Sequence, residues 1–82
     1  MDRKQKSKYV LLGLNIQHFR KLQGYTQEAL AEKIDMETVS IGKIENARVG
    51  ASLDTIFKIA DALEVDTYRL FYHYGQYEKG QK

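Results

Sequence analysis

Thr38, Val39 and Lys43 stand close together in the stretch TVSIGKIEN, at a spacing that places them on one side of a helix with about 3.6 residues per turn. They offer a hydroxyl, a methyl surface and an ammonium group, which can hydrogen-bond or make apolar contacts with a bound molecule. Gly42 lies among them and adds no side chain. This combination suits recognition of a surface at short range, because small side chains let a helix backbone approach its partner.

Groups that would carry out catalysis are missing from the sequence. There is no cysteine, and the two histidines, His18 and His73, lie near opposite ends of the chain, which does not suggest a zinc site. We find no nucleophile–base pair, no supported pair of carboxylates and no phosphate-binding glycine loop. We therefore expect a protein that is not an enzyme and has no metal, no cofactor and no evident small-molecule ligand.

The positions of apolar residues predict the helices that would hold the polar side chains. Apolar residues recur every three or four positions in about 11–23 and lie on one face in about 27–34, 38–46 and 53–63, as is typical of helices that bury one face. A fifth helix, about 67–74, is expected to begin after Asp66. Gly24 suits a helix end, whereas Thr26, Ser52 and Asp66 suit N-caps. No segment shows the alternation of a strand. The expected fold class is all-α, a compact five-helix bundle.

The same periodicity predicts the residues of the core. We expect the apolar stripes of the first and fourth helices to be buried, and Leu70 and Phe71 to close the core from the fifth. The stripe of the first helix contains Leu12, Ile16, Phe19 and Leu22, and that of the fourth contains Leu53, Ile56, Phe57, Ile59, Ala60 and Leu63.

The chain of 82 residues should form one domain with an uneven distribution of charge. Residues 1–8 carry four basic groups and one acid and are expected to be a basic flexible arm, residues 9–74 form the helical domain, and residues 75–82 form a polar tail. No stretch approaches the roughly 20 apolar residues of a membrane span, and the N-terminal apolar run is too short for a signal peptide. We expect a cytoplasmic protein with no membrane partner.

The second and third predicted helices should cross steeply, as in a helix-turn-helix. Ala31 would then face Ile41 at the crossing, and Ile41 and Ile44 would anchor the third helix. Its opposite face would stay free. A projecting helix of this kind fits the major groove of B-DNA, which is about 12 Å wide.

Residues 22–71, and above all TQEALAEKI followed by IGKIEN, resemble the Cro/C1-type (XRE) helix-turn-helix family. The resemblance implies a phage-repressor-like, five-helix DNA-binding fold. It also implies that the protein binds double-stranded DNA as a homodimer over a short pseudo-palindrome, most often to repress transcription, with residues 38–46 as the recognition helix.

The resemblance also implies roles for single residues. Arg20 and Glu45 match an ion pair that joins the first helix to the third. The positions that match DNA contacts are Gln27 for a phosphate, Thr38, Val39 and Lys43 for bases on the same face as Gly42, and Asn46 and Arg48 for the backbone beyond the helix.

The sequence departs from the family pattern in its glycines and its charge. Asp35, Ala47 and Glu64 stand where glycine is common, and Glu37 stands where a capping Ser or Thr is frequent. Residues 26–46 hold five acids and two lysines, which predicts weak, salt-sensitive binding to DNA. The basic arm could compensate by reaching along a groove, although it could equally be a solubilising tail.

The C-terminal part of the chain is rich in aromatic residues, namely Tyr68, Phe71, Tyr72, Tyr74 and Tyr77. Exposed tyrosines favour a protein interface, and Tyr68, Tyr72 and Tyr74 are the candidate dimer surface. Alternatively the tyrosines simply cover a small core. A second functional hypothesis is a protein-binding adaptor that keeps the helix-turn-helix fold and binds DNA weakly or not at all.

Overall fold

The computed structural model describes residues 2–74, which form four α-helices and two short 3-10 turns. The helices are α1 (Lys6–Leu22), α2 (Gln27–Lys33), α3 (Thr38–Glu45) and α4 (Leu53–Leu63), and the 3-10 turns are Arg3–Gln5 and Thr67–Leu70. No strand occurs within these residues. The all-α prediction is confirmed, but the count of five helices is wrong.

The predicted fifth helix is only the 3-10 turn Thr67–Leu70. Asp66 precedes this turn but its side chain makes no capping hydrogen bond. Instead, the side-chain amide of Asn15 in α1 donates to the carbonyl oxygens of Leu70 and Tyr72, both at 2.9 Å. These carbonyl groups are held by α1, so the chain ends its helical turn and follows the surface of α1.

The first helix begins at Lys6 rather than near Leu11, so it contains two of the basic residues assigned to the N-terminal arm, Lys6 and Lys8. Before it, the Asp2 side chain accepts a hydrogen bond from the Lys4 backbone amide at 2.9 Å and caps the first 3-10 turn. The predicted polar tail, residues 75–82, and Tyr77 lie outside the described residues.

The predicted caps of α2 and α4 are present. The Thr26 hydroxyl accepts from the amide of Ala29 at 3.0 Å, and the Ser52 hydroxyl accepts from the amide of Thr55 at 3.1 Å. These bonds satisfy amide groups that a helix start leaves without a partner. They fix the start of both helices where the sequence predicts it.

One core joins all four helices. Its members are Leu12, Ile16 and Phe19 of α1, Leu30 and Ala31 of α2, Ile41 and Ile44 of α3, Ile56, Ile59, Ala60 and Leu63 of α4, and also Ile34 and Leu70. Four residues expected in the core are exposed instead: Leu22, Leu53, Phe57 and Phe71. Leu22 and Leu53 lie at helix ends, and Phe57 lies at the margin of the buried stripe of α4.

Every helix ends in a residue with positive φ: Gly24, Asp35, Ala47 and Glu64, with φ between 56° and 80°. At each end the next residue donates its amide to the carbonyl five positions back, as from Met36 to Ala31 and from Arg48 to Lys43, both at 2.8 Å. This is the Schellman motif, which glycine favours because it lacks a Cβ. The chain therefore uses the glycine conformation at Asp35, Ala47 and Glu64 with side chains that are strained there.

Candidate functional site

Helices α2 and α3 form the predicted helix-turn-helix, with α3 held by one face. Ala31 and Ile41 are both buried in the shared core, at 1% and 0% exposure, as is Ile44 at 6%. The turn between the helices passes through Asp35. On the other face of α3 the side chains of Thr38, Val39 and Lys43 are exposed. The helix is therefore anchored on one side and accessible on the other.

The exposed face of α3 belongs to one shallow concavity, here called the recognition surface. Its lining consists of Gln27, Thr38, Val39, Gly42, Lys43, Asn46 and Arg48. These are the residues that the sequence singled out for DNA contact, and the structure brings all of them together. An ideal Cβ built on Gly42 would lie 3.4 Å from the Gln27 side-chain oxygen. The glycine therefore leaves space in the concavity next to the Gln27 side chain of α2.

An ion pair fixes α3 to α1 beneath the recognition surface. Arg20 donates to the two carboxylate oxygens of Glu45 through Nε at 2.6 Å and Nη2 at 3.1 Å, while its Nη1 donates to the Tyr25 carbonyl at 2.8 Å. Both side chains are buried. Bidentate hydrogen bonding of this kind is strong and directional, and the Arg20 guanidinium group neutralises the charge of Glu45 at the end of α3.

Gln27 makes a contact that the sequence does not reveal. Its amide Nε2 donates to Oε1 of Glu45 at 2.9 Å, which links the first residue of α2 to the last residue of α3. The predicted role for Gln27 is a hydrogen bond to phosphate, and only the second N–H of its amide remains for that purpose. The polar chain Arg20–Glu45–Gln27 therefore fixes the angle between three helices.

Gly13 is a positioning residue that sequence reasoning missed. A Cβ at this position would lie 2.4 Å from the Glu45 carbonyl oxygen and 2.7 Å from the Ile44 carbonyl oxygen. The middle of α1 therefore touches the backbone at the end of α3, which only glycine allows. A glycine inside an otherwise strong helical pattern is the signal that could have indicated this contact.

The N-terminal end of α1 also reaches α3. The Lys6 ammonium group donates to the carbonyl oxygen of Ala47 at 2.8 Å, just beyond the last turn of α3. Arg3, Lys6, Ala47 and Arg48 line a second concavity, which shares Arg48 with the recognition surface. A cation there complements the negative end of the α3 dipole.

A third concavity borders the other end of α3 and is acidic. It shares Thr38 with the recognition surface and contains the carboxylates of Glu28, Glu32, Asp35 and Glu37. Glu37 precedes α3 and makes no side-chain capping bond. The charge beside α3 therefore changes sign from its first residue to its last.

The candidate dimer residues fall in two environments. Tyr68 and Tyr72 are exposed, at 65% and 56%. Tyr74 instead packs edge-on against Phe19 and Tyr72, and its hydroxyl group lies 3.2 Å from Nε of Arg69. That hydrogen bond raises the pKa of Arg69 above its ordinary value. Tyr74 thus covers the core, which was the alternative interpretation of the tyrosines.

Between residues 2 and 74, no group of three or more His, Cys, Asp or Glu side chains is arranged to hold a metal ion. No described helix is long and apolar enough to cross a membrane.

A family model for helix-turn-helix proteins, HTH_3, matches residues 16–70. No curated protein matches the sequence significantly.

Two solved structures share more than a quarter of the residues. The restriction-modification controller protein C.AhdI from Aeromonas hydrophila is 28% identical with a TM-score of 0.78, over 82% of this chain and 97% of that one. The hypothetical transcription factor NHTF from Neisseria is 29% identical with a TM-score of 0.80, over 88% of this chain and 83% of that one. The clp gene regulator ClgR from C. glutamicum shares the fold. It is 22% identical with a TM-score of 0.72, over 76% of this chain and 80% of that one.

Proposed function

Because this chain belongs to the helix-turn-helix family HTH_3, of the Cro/C1 (XRE) type, we propose that it is a sequence-specific DNA-binding regulator of transcription. In this proposal α3 enters the major groove of an operator and the bound protein represses transcription. Similarity to a restriction-modification controller and to a transcription factor supports a regulatory role.

The observation that carries the proposal is the division of α3 into two faces. Ile41 and Ile44 are buried, whereas Val39 is 57% exposed and lies beside exposed Thr38 and Lys43. The buried ion pair of Arg20 and Glu45 holds the helix in place from beneath. Exposed, mostly small side chains on an immobilised helix are what a major-groove reader needs, because readout requires base edges at hydrogen-bonding distance.

Each residue of the recognition surface has a role in the proposal. Lys43 donates to the O6/N7 edge of a guanine, and Thr38 and Val39 contact a base edge or a thymine methyl group. Asn46 and Arg48, just beyond α3, bind the sugar–phosphate backbone and set the register of the helix.

Selection of bound sites from random duplex DNA tests this function directly. We expect an enriched, pseudo-palindromic motif, and we expect Lys43→Ala to lose about 1–3 kcal/mol on that motif and to relax preference at one base position. Lys58→Ala is a matched control, because Lys58 is an exposed lysine in a separate concavity lined also by Lys33, Asp35 and Asp61. No binding at about 50 mM salt by a protein with an intact helical circular dichroism spectrum would favour the protein-binding adaptor instead.

We further propose that the protein acts as a homodimer. Helix α3 has eight residues and is therefore about 12 Å long, a third of the roughly 34 Å between successive half-sites on one face of DNA. The α3 helix of a single domain can thus read only a few base pairs. Tyr68 and Tyr72, which are exposed and close in sequence to the 49% exposed Phe71, are the surface we assign to the second copy.

Sedimentation equilibrium tests the dimer. The double variant Tyr68→Ser/Tyr72→Ser should raise the dimer dissociation constant, whereas Leu22→Ser should not, although Leu22 is 69% exposed at the end of α1. Equal weakening by both variants would show that loss of surface hydrophobicity in general, and not this face, is responsible.

A further inference from the structure

The ends of the recognition surface carry opposite charge, and this asymmetry predicts which end binds the phosphate groups of DNA. At the end marked by Thr38 lies the acidic border, defined as Glu28, Glu32, Asp35 and Glu37. At the end marked by Arg48 lies the basic cluster, defined as Arg3, Lys6 and Arg48. The formal charge is −4 at one end and +3 at the other, counted from these residues.

A duplex that receives α3 in its major groove presents a phosphate strand at each side of the groove. Phosphates are repelled by carboxylates and attracted by Lys and Arg, and these cationic contacts supply most of the sequence-independent affinity. The residues that line the acidic border include no Lys or Arg. Gln27, the other candidate phosphate ligand at α2, already donates one N–H to Glu45.

The basic cluster is held in place by the fold. The Lys6 ammonium group is fixed by its 2.8 Å hydrogen bond to the carbonyl of Ala47, and the backbone of Arg48 is fixed by the Schellman bond from its amide to the Lys43 carbonyl, also 2.8 Å. Arg3 lies in the 3-10 turn that leads into α1, one turn before Lys6. The three charges therefore come from two separate parts of the chain and meet beside the last turn of α3.

We propose that the basic cluster binds DNA phosphate beside the C-terminal end of α3 and is the main electrostatic anchor of the domain. Arg3 and Lys6, which both lie outside the residues matched to the family model, are the new DNA-contacting residues in this assignment. Lys6 has a second role, since its bond to Ala47 positions Arg48. The proposal rests on DNA binding by the recognition surface.

The salt dependence of binding distinguishes this anchor from a general charge effect. Each phosphate neutralised by a cation contributes about −0.9 to the slope of log affinity against log salt concentration. We therefore expect Arg3→Gln to make the slope less steep by about 0.9, equally on specific and random DNA. An increase in salt from 50 to 200 mM should therefore weaken DNA binding by the Arg3→Gln variant about 3.5-fold less than it weakens binding by the unmodified protein. Arg3→Lys should restore the slope.

Lys21→Gln is the matched control, because it removes the same charge from the other end of α1. Lys21 is exposed and lies 15 residues after Lys6 on this helix, which is about 22 Å along its axis. It should leave the slope unchanged.

The outcomes separate this inference from the proposed function. If the unmodified protein binds duplex DNA and Arg3→Gln keeps its slope, the anchor is wrong and the function stands. The anchor is also wrong if Arg3→Gln and Lys21→Gln change the slope equally. Absence of any DNA binding by the unmodified protein would overturn both.

Discussion

The same substitution, glycine to alanine in the interior of a helix, should have opposite effects at Gly13 and Gly42. Alanine favours a helix over glycine by about 0.5–1 kcal/mol, so without other contacts both variants would be more stable. At Gly42 the nearest atom to a new Cβ is the end of the flexible Gln27 side chain, at 3.4 Å, which is ordinary contact. Gly42→Ala should therefore raise the melting temperature by about 2–8 °C.

At Gly13 the obstacles are backbone atoms. The Cβ would lie 2.4 Å from the Glu45 carbonyl oxygen, and real Cβ contacts are almost never below 3.0 Å, so α1 and α3 must separate by at least 3.0 − 2.4 = 0.6 Å. Overpacking of this kind costs about 1–3 kcal/mol and sometimes more. After subtraction of the gain in helix propensity, the middle of these ranges leaves a net loss of about 1 kcal/mol, or roughly 4–8 °C in melting temperature.

Thermal and urea denaturation followed by circular dichroism at 222 nm measures both variants. The sign of each change is the result that matters, because the chemistry of the two substitutions is identical. If Gly13→Ala melted at or above the temperature of the unmodified protein, α1 and α3 would not cross as closely as described. In that case α1 would not set the position of α3.

Three further predictions concern the buried polar groups and the helix ends. Glu64→Gly should stabilise the protein by about 0.5–1 kcal/mol in urea denaturation, because it removes the strain of a side chain on a left-handed backbone. Ala47→Gly should stabilise less, since it also removes a buried methyl group. Glu64→Ala keeps the strain and should change the stability little. Arg20→Met should destabilise by about 3–5 kcal/mol by leaving the buried Glu45 charge unpaired, and Arg20→Met/Glu45→Met should recover much of that loss in a double-mutant cycle. Asn15→Ala should cost about 1–3 kcal/mol and increase amide hydrogen exchange at the 3-10 turn that follows α4, because two carbonyl groups lose their donor.

The parts of the fold that local chemistry determines could be predicted from sequence. Helix α4 has the predicted bounds because Ser52 caps its start and Glu64 ends it in a Schellman turn. Helix α2 begins where Thr26 predicts. The residues of the recognition surface could be identified because they lie within one short segment and follow the helical repeat from a recognisable anchor, Ile41 and Ile44.

The features that were missed depend on residues distant in sequence. A cap at Asp66 predicts the fifth helix, but the carbonyl groups of Leu70 and Tyr72 accept hydrogen bonds from Asn15, which lies 55 and 57 positions earlier in the chain. The contact of Gly13 with the end of α3 and the bond from Lys6 to Ala47 likewise join α1 to residues more than 30 positions away, at the end of α3 and just beyond it. No local pattern determines such contacts, because they appear only when the helices are packed.

The two faces of α3 separate the requirements of folding from those of recognition. Side chains that hold the helix, such as Ile41 and Glu45, are enclosed, whereas Thr38, Val39 and Lys43 contribute almost nothing to the interior. Substitutions at these three exposed positions should therefore be nearly neutral for stability, as is usual for surface sites. Under the proposed function, a single substitution at one of these positions should change the preferred DNA target without loss of stability, so libraries randomised at the three positions should remain folded.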